Sequence, residues 1–361
     1  FMKKAFHLLI SLMLVASCSQ DDDIDKVPDN TNSTFISGVD ISSYPEIALS
    51  NPTFYDFDGK QKDFFTILQT NGINTIRLKL WVNPVNEHSS FNEVKQFSKF
   101  LKGKGLKIWL TLHYSDTWAD PGSQETPSAW KGLDFITLKD SVYNYTKKVV
   151  KEIEPNYIQI GNEINSGILH PYGNISNNFE NFIKLIQTGV SAVRDNSKEC
   201  EIILHFAGIE GSEWFFNQVN PIDYDIIGLS YYPIWHGKSV GNLKATMRIL
   251  SETKNKKILI AETAYPFTLQ WNDWTNNIVG TSNQLLPSLP ASALGQSNFI
   301  DSLWKIMNPT NQNQTYGICY WAPEYVAYKG AQDTSASPWE NLCLFDFQNN
   351  ACIGIKALGG K

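Results

Sequence analysis

Short apolar runs alternate with longer amphipathic segments along almost the whole chain, and this alternation limits the fold more than any other feature. The runs lie at residues 35–41, 74–80, 107–112, 157–160, 201–205, 226–229, 257–260 and 317–320. They read as buried strands, short and apolar, like those of a parallel sheet covered on both faces. Helical patterns occupy the intervals, at 63–71, 91–104, 133–152, 178–195, 212–218, 239–253 and 291–308. Eight strands with helices between them and one core predict an α/β fold, a single (β/α)8 barrel. A doubly wound open sheet shares the alternation, but no glycine-rich phosphate loop follows the first run. The length of 361 residues suits one large barrel. No linker or change of composition follows Phe35, so residues 35–361 are read as one catalytic domain.

The functional signal sits at the ends of the runs. The fourth run ends in Gly161-Asn162-Glu163 and the seventh in Ala261-Glu262-Thr263. Ionised carboxylates are costly to bury without partners. Either glutamate alone reads as a structural residue, capping a helix or paired with an arginine. Two of them, in matching positions on one parallel barrel, face each other across the carboxyl-terminal mouth, where such barrels keep their chemistry. One can then act as acid/base and the other as nucleophile on a glycosidic bond, at a separation of about 5–5.5 Å.

Other strand ends supply fitting partners. Arg77, on the second run, can donate a fork of hydrogen bonds that keeps a nucleophilic glutamate ionised, and Tyr232 can add another. Asn162 can hold a sugar 2-OH. Trp321 can floor the subsite of the attacked sugar, while Asp40, His113 and Ser230 can bond hydroxyls or brace the residues that do. Three long connections, 114–132, 264–290 and 322–341, follow strands and so gather at the same mouth. The chain carries 11 Trp, 15 Tyr and 20 Phe, more aromatic surface than a core needs, and sugars pack their C–H faces on rings. A net charge of −6 argues against nucleic acid as a partner.

At this point the chain resembles the retaining glycoside hydrolases of the large (β/α)8 clan, and within that clan family 53, the endo-β-1,4-galactanases. The similarity runs from about Gly38 to Phe347. It is carried by Gly38-Val39-Asp40-Ile41-Ser42, by the stretch from Gly72 through Arg77 to Pro84, and by His113-Tyr114-Ser115-Asp116-Thr117-Trp118-Ala119-Asp120-Pro121. Further matches are Gln159–Glu163, Leu229–Pro233, Ala261–Pro266, and Trp339-Glu340-Asn341 with Leu344–Phe347. The resemblance implies hydrolysis of β-1,4-galactan, the side chain of pectic rhamnogalacturonan I, with retention of configuration. It assigns the acid/base to Glu163 and the nucleophile to Glu262. Trp118, Asp120, Trp235 and Trp321 are expected to line sugar subsites, with Trp130 and Trp339 left to structural roles. No cofactor for catalysis is implied, and a monomer is expected. Two positions depart from the family pattern: Trp321-Ala322-Pro323 stands where Trp-Glu-Pro is usual, with Glu324 one step later, and His205-Phe206-Ala207 where His-Leu-Asp is frequent.

The resemblance also implies a structural calcium ion in the connection after the seventh strand. The family's Asp-x-His-x-Asn pattern falls on Asp273, Thr275 and Asn277, and Ser337 and Glu340 would complete the set. Alternating oxygen ligands suit calcium. A polar loop holding only water is the alternative, because Thr275 replaces the histidine. The beginning of the chain reads as a processing signal: Lys3 and Lys4 precede an apolar run too short to span a bilayer. Residues 15–18, Val-Ala-Ser-Cys, resemble the lipobox of bacterial lipoproteins, with a signal peptide over 1–17 and Cys18 as the lipidated residue. Ser19-Gln20-Asp21-Asp22-Asp23, opening a flexible acidic tether over 18–34, resembles the export tag of surface-exposed lipoproteins of Gram-negative bacteria, which implies an outer-membrane location; a solvated linker is the alternative. Cys200, Cys319, Cys343 and Cys352 match no zinc spacing, and their pairing stays open.

Overall fold

The structure, a computed structural model, describes residues 35–307 and 315–360. The expected signal peptide, tether and lipidated Cys18 lie outside the described residues. Eight parallel strands close into a barrel: β1 (Ile36–Asp40), β2 (Thr75–Leu80), β3 (Lys107–Leu112), β4 (Tyr157–Ile160), β5 (Glu201–Ala207), β6 (Ile226–Ser230), β7 (Lys257–Thr263) and β8 (Thr315–Trp321). Each pairs with the next in sequence, and β1 pairs with β8 to close the ring. The expected single (β/α)8 barrel is therefore the observed fold.

Eight helices follow the strands in turn: α1 (Phe64–Thr70), α2 (Phe91–Gly103), α3 (Phe135–Ile153), α4 (Ile175–Arg194), α5 (Ser212–Gln218), α6 (Val240–Lys254), α7 (Ala293–Ile306) and α8 (Gly354–Leu358). Most start where the sequence offers a cap. The side chains of Asp63, Ser90, Asp134, Asn174, Ser239 and Ser292 each accept a backbone N–H from the first turn. α4 begins three residues before its expected start because Asn174 caps a first turn that kinks at Asn178. α8 is too short to show a helical period and was not expected. It closes the ring of helices: Gly359, at its end, lies so near Asn71 that an added Cβ would meet the Asn71 carbonyl oxygen at 1.6 Å.

Two apolar layers form the core. Val39, Ile76, Leu78, Ile108, Ile158 and Leu204 face outward and pack under the helices. Ile36, Trp109, Tyr157, Ile203, Ile226, Leu259, Ala261 and Cys319 face inward and fill the lower barrel. Strand period two puts alternate residues in these two layers. Above the inner apolar layer the inward positions turn polar: Asp40, Arg77, Gln159, His205 and Glu262, all buried. The strands run past the ends read from apolar content, β5 to Ala207, β6 to Ser230, β7 to Thr263 and β8 to Trp321. The reason is this polar layer, which continues the ladder inside the barrel.

Candidate active site

The site begins with backbone geometry. At the end of β4, Gly161 adopts φ +77 and Glu163 φ 45, ψ 57, both left-handed. A Cβ on Gly161 would meet Ile164 Cγ2 at 2.4 Å, so only glycine fits there. The reversal turns Glu163 over the barrel axis. At β7 the device is a bulge. Ser230 pairs with Glu262 although Leu229 pairs with Ile260, so one extra residue is inserted. Ala261 fills the inner core, yet its neighbour Glu262 also points inward, to Arg77. A regular strand would send one of the two outward.

Arg77 organises the carboxylates from below, its guanidinium over the Trp109 ring at 5.3 Å. Its Nη1 donates to Asp40 Oδ2 at 2.9 Å, and Nη2 reaches Glu262 Oε1 at 2.8 Å and Asn162 Oδ1 at 2.9 Å. Tyr232 donates its hydroxyl to Glu262 Oε2 at 3.2 Å. Asp40 is thus a brace and not a groove residue; its other oxygen accepts the Ser42 backbone N–H and hydroxyl. Burial pushes the Glu262 carboxyl up, and the Arg77 charge opposes that push.

Glu163 has different surroundings. Ser230 donates its hydroxyl to Glu163 Oε1 at 2.5 Å, and among the described residues no guanidinium touches the carboxyl. Burial, then the Glu262 charge, push its pKa up to about 8. His205 stands behind this pair: the Glu163 backbone N–H donates to His205 Nδ1, and Nε2 lies 2.8 Å from Ser230 Oγ. Burial, reinforced by the Arg77 charge, holds the imidazole well below its usual range, so it is neutral with its proton on Nε2, donating to Ser230. Glu163, His205 and Glu262 bring potential ligand atoms within 4.8 Å of one another. Both ring nitrogens of His205 are already engaged, which leaves no lone pair for a metal.

The groove above holds about 260 Å³ and is lined by His113, Trp118, Ala119, Asp120, Asn162, Glu163, Tyr232, Trp235, Glu262, Trp321, Tyr325 and Trp339. His113 Nδ1 accepts from Ala119 N and Trp81 Nε1, so its proton sits on Nε2. Asn162 gives one amide hydrogen to Ala119 O and retains the other. Asp120 lines the groove while its Oδ1 caps the turn at Gly122 and Ser123. Expected site residues Asp40, Arg77 and Ser230 lie beneath the lining and act through the carboxyls. Trp339, expected to be structural, is a wall, 5.9 Å from Trp235 and 6.2 Å from Trp321 between ring centroids. Trp130 packs on Tyr114 and Tyr145, away from the lining. Tyr325 and Gln124, whose amide holds the Asn162 carbonyl at 2.8 Å, have no signal in the sequence, and Gln159 and His205 were noted only as parts of motifs and given no role in the site. The available signals were a polar residue inside an apolar run, Gln159, and one at the end of another, His205.

Comparison with known proteins decides what kind of site this is. Residues 36–358 match the family model of glycosyl hydrolase family 53. The chain belongs to glycosyl hydrolase family 53. It is 34% identical to an arabinogalactan endo-beta-1,4-galactanase of Cellvibrio japonicus, covering 97% of this chain and 95% of that one. An endo-beta-1,4-galactanase of Bacillus subtilis is 32% identical over 86% of this chain and 75% of its own length. The family 53 catalytic domain of Ignisphaera aggregans superposes with a TM-score of 0.84 at 33% identity, covering 92% of this chain and 96% of that domain. This family 53 chain is therefore a glycoside hydrolase.

In this family 53 chain Glu324 does not enter the groove. It is buried, its Oε1 accepts the Ser43 backbone N–H at 3.1 Å, and burial pushes its pKa up to about 8. The connections 264–290 and 322–341 are stitched together by Phe267 N to Asn341 O, Ile278 N to Pro338 O and Asn272 N to Glu340 Oε1. Between them Asp273 Oδ2, Asn277 Oδ1, Glu340 Oε2 and Asn341 Oδ1 are buried oxygens without a hydrogen-bond partner. Burial and the neighbouring Asp273 charge raise the Glu340 carboxyl. Such a set of oxygens fits a calcium ion. Thr275 Oγ1 and Ser337 Oγ face the same junction but accept backbone N–H groups, from Ala336 and Trp339. The described cysteines, Cys200, Cys319, Cys343 and Cys352, are buried thiols.

Proposed function

We propose that this chain is an endo-acting β-1,4-galactanase that hydrolyses the galactan side chains of pectic rhamnogalacturonan I with retention of configuration. The observation that carries the mechanism is the contrast between two neighbouring carboxyls. One oxygen of Glu163 and one of Glu262 lie within 4.8 Å of each other, an approach that suits a retaining pair, whose carboxyl groups stand about 5–5.5 Å apart. Arg77 and Tyr232 favour ionised Glu262, the nucleophile. Burial and the Glu262 charge favour protonated Glu163, the acid.

The steps follow from these states. Glu262 attacks the anomeric carbon while Glu163 gives its proton to the leaving oxygen, and the glycosidic C–O bond breaks. Glu262 is now esterified, so its charge no longer raises Glu163, which is left ionised. Glu163 then takes a proton from water, the water oxygen attacks the anomeric carbon, and the ester bond to Glu262 breaks. Asn162, with its free amide hydrogen, is the donor for the 2-OH. No cofactor is needed. The galactan assignment is supported by the names of the Cellvibrio and Bacillus relatives and by the aromatic walls of an open groove.

The deciding experiment is activity on purified galactan, mannan, glucan and xylan, with the anomer formed followed by NMR. Release of β-anomeric galacto-oligosaccharides from galactan is expected. In the same assay Glu163→Gln and Glu262→Gln each lose roughly 10²-fold or more in turnover. Preference for another glycan, or binding without cleavage, would replace this reading by another glycanase of the clan or by a glycan-binding lipoprotein. We further propose calcium at Asp273, Asn277 and Glu340, with Thr275 and Ser337 at its edge, pinning the two connections beside the groove. Finally, we propose a monomer anchored through Cys18 on the outer-membrane surface.

A further inference from the structure

Lys79 carries a buried positive charge that the mechanism above does not use. It sits on β2 two residues after Arg77, on the same inward side and roughly 6.6 Å nearer the mouth. Inward residues at the carboxyl end of a barrel strand face the substrate level. The residue is only 5% exposed. Its Nζ lies over the Trp118 ring at 4.4 Å from the centroid and over Trp81 at 5.1 Å. Trp118 lines the groove and is 40% exposed. Among the described residues no acceptor lies within hydrogen-bond distance of Nζ and no carboxylate pairs with it directly; the hydrogen bond of Lys79 is through its backbone N–H, to Ser42 Oγ. An ammonium has three donors, and with no protein acceptor beside Nζ they are left to water or to a ligand in the groove. Ring faces attract the charge but accept no conventional hydrogen bond.

We propose that Lys79 is a substrate-binding residue whose ammonium donates a hydrogen bond to a hydroxyl of the galactosyl unit lying alongside Trp118. The proposal rests on the galactan reading and names a contact within it. Burial lowers the Lys79 pKa, and the Asp40 carboxylate opposes part of that push. Glu324 fixes the chain beside this site through one oxygen, which accepts the Ser43 backbone N–H. The competing account is that Lys79 is a prop, holding the Trp118 ring by cation–π attraction and never touching sugar.

A binding cycle separates the two. Binding of a β-1,4-linked galactotetraose is measured by calorimetry in the Glu163→Gln background, where turnover is suppressed. Lys79→Met keeps the stem and removes the donors; it is expected to weaken binding about tenfold, and Lys79→Arg to restore most of it. The same Lys79→Met change is then made on top of Trp118→Ala. If the ammonium touches sugar, it still weakens binding several-fold there. If it has no effect in that background, Lys79 is only a prop and the proposal fails. Unchanged binding in the single variant overturns it as well. Thermal unfolding checks each protein, and Lys79→Leu, which also removes the donors, stands in through the same cycle should the methionine variant not fold. Should the wild-type chain neither bind galactotetraose nor cleave galactan, the galactan reading itself has failed, an outcome distinct from a wild type that binds and a variant that binds equally.

Discussion

Replacing Ser230 by alanine tests the acid assignment through a single hydrogen bond. The Ser230 hydroxyl donates to Glu163 Oε1 at 2.5 Å and favours the ionised carboxyl. Burial and the Glu262 charge act the other way and dominate, at about 8. A hydrogen bond to a charged acceptor contributes about 1.5–3 kcal/mol and one to a neutral acceptor about 0.5–1.5 kcal/mol. The ionised form therefore loses about 1–1.5 kcal/mol more than the protonated form when the hydroxyl goes. At about 1.36 kcal/mol per unit, the Glu163 pKa rises by about one unit. The sign for catalysis follows directly. The free enzyme needs Glu163 protonated, so kcat/KM falls as pH rises through this pKa, and Ser230→Ala moves that alkaline limb upward. The assay is the pH profile of kcat/KM on soluble galactan, which reports the free enzyme. Because the two glutamates titrate as a pair, the acid limb is recorded in the same series. An alkaline limb that stays in place or moves downward would refute the reasoning. The substitution also strands the His205 Nε2 proton in a buried site, so a loss of about 1–3 kcal/mol in stability is expected from the same variant.

Arg77→Met leaves Asp40 and Glu262 as buried carboxylates without their partner, and a loss of about 3–5 kcal/mol in urea unfolding at neutral pH is expected; an unchanged midpoint would show that the pair is not held as described. On chelator-stripped protein, calcium should raise the thermal midpoint, by about 2.7 kcal/mol of added stability at a hundred times its dissociation constant. Asp273→Asn should weaken that response, and no response at millimolar calcium means that the junction holds only water. Cys18→Ala should release the protein from membranes with activity in extracts intact; continued membrane fractionation would point to another anchor.

The sequence by itself determined the barrel, because alternating apolar strands and capped amphipathic helices leave few ways to bury both surfaces. It also singled out both glutamates, since a carboxyl at the end of an apolar strand is conspicuous in residue type alone. What it could not determine was direction. Glu262 reaches Arg77 through a bulge at Ala261, and Glu163 faces the groove through left-handed backbone at Gly161 and at Glu163 itself. Neither device has a distinct residue signature beyond the glycine. The division of labour among the polar residues was also tertiary. Asp40, Ser230 and His205 come from strands far apart in sequence and meet only when the barrel closes, where neighbours decide who binds sugar and who holds a carboxyl. Trp339 looked structural for the same reason: its place in the wall depends on two long connections being stitched together, a long-range arrangement that no local pattern encodes.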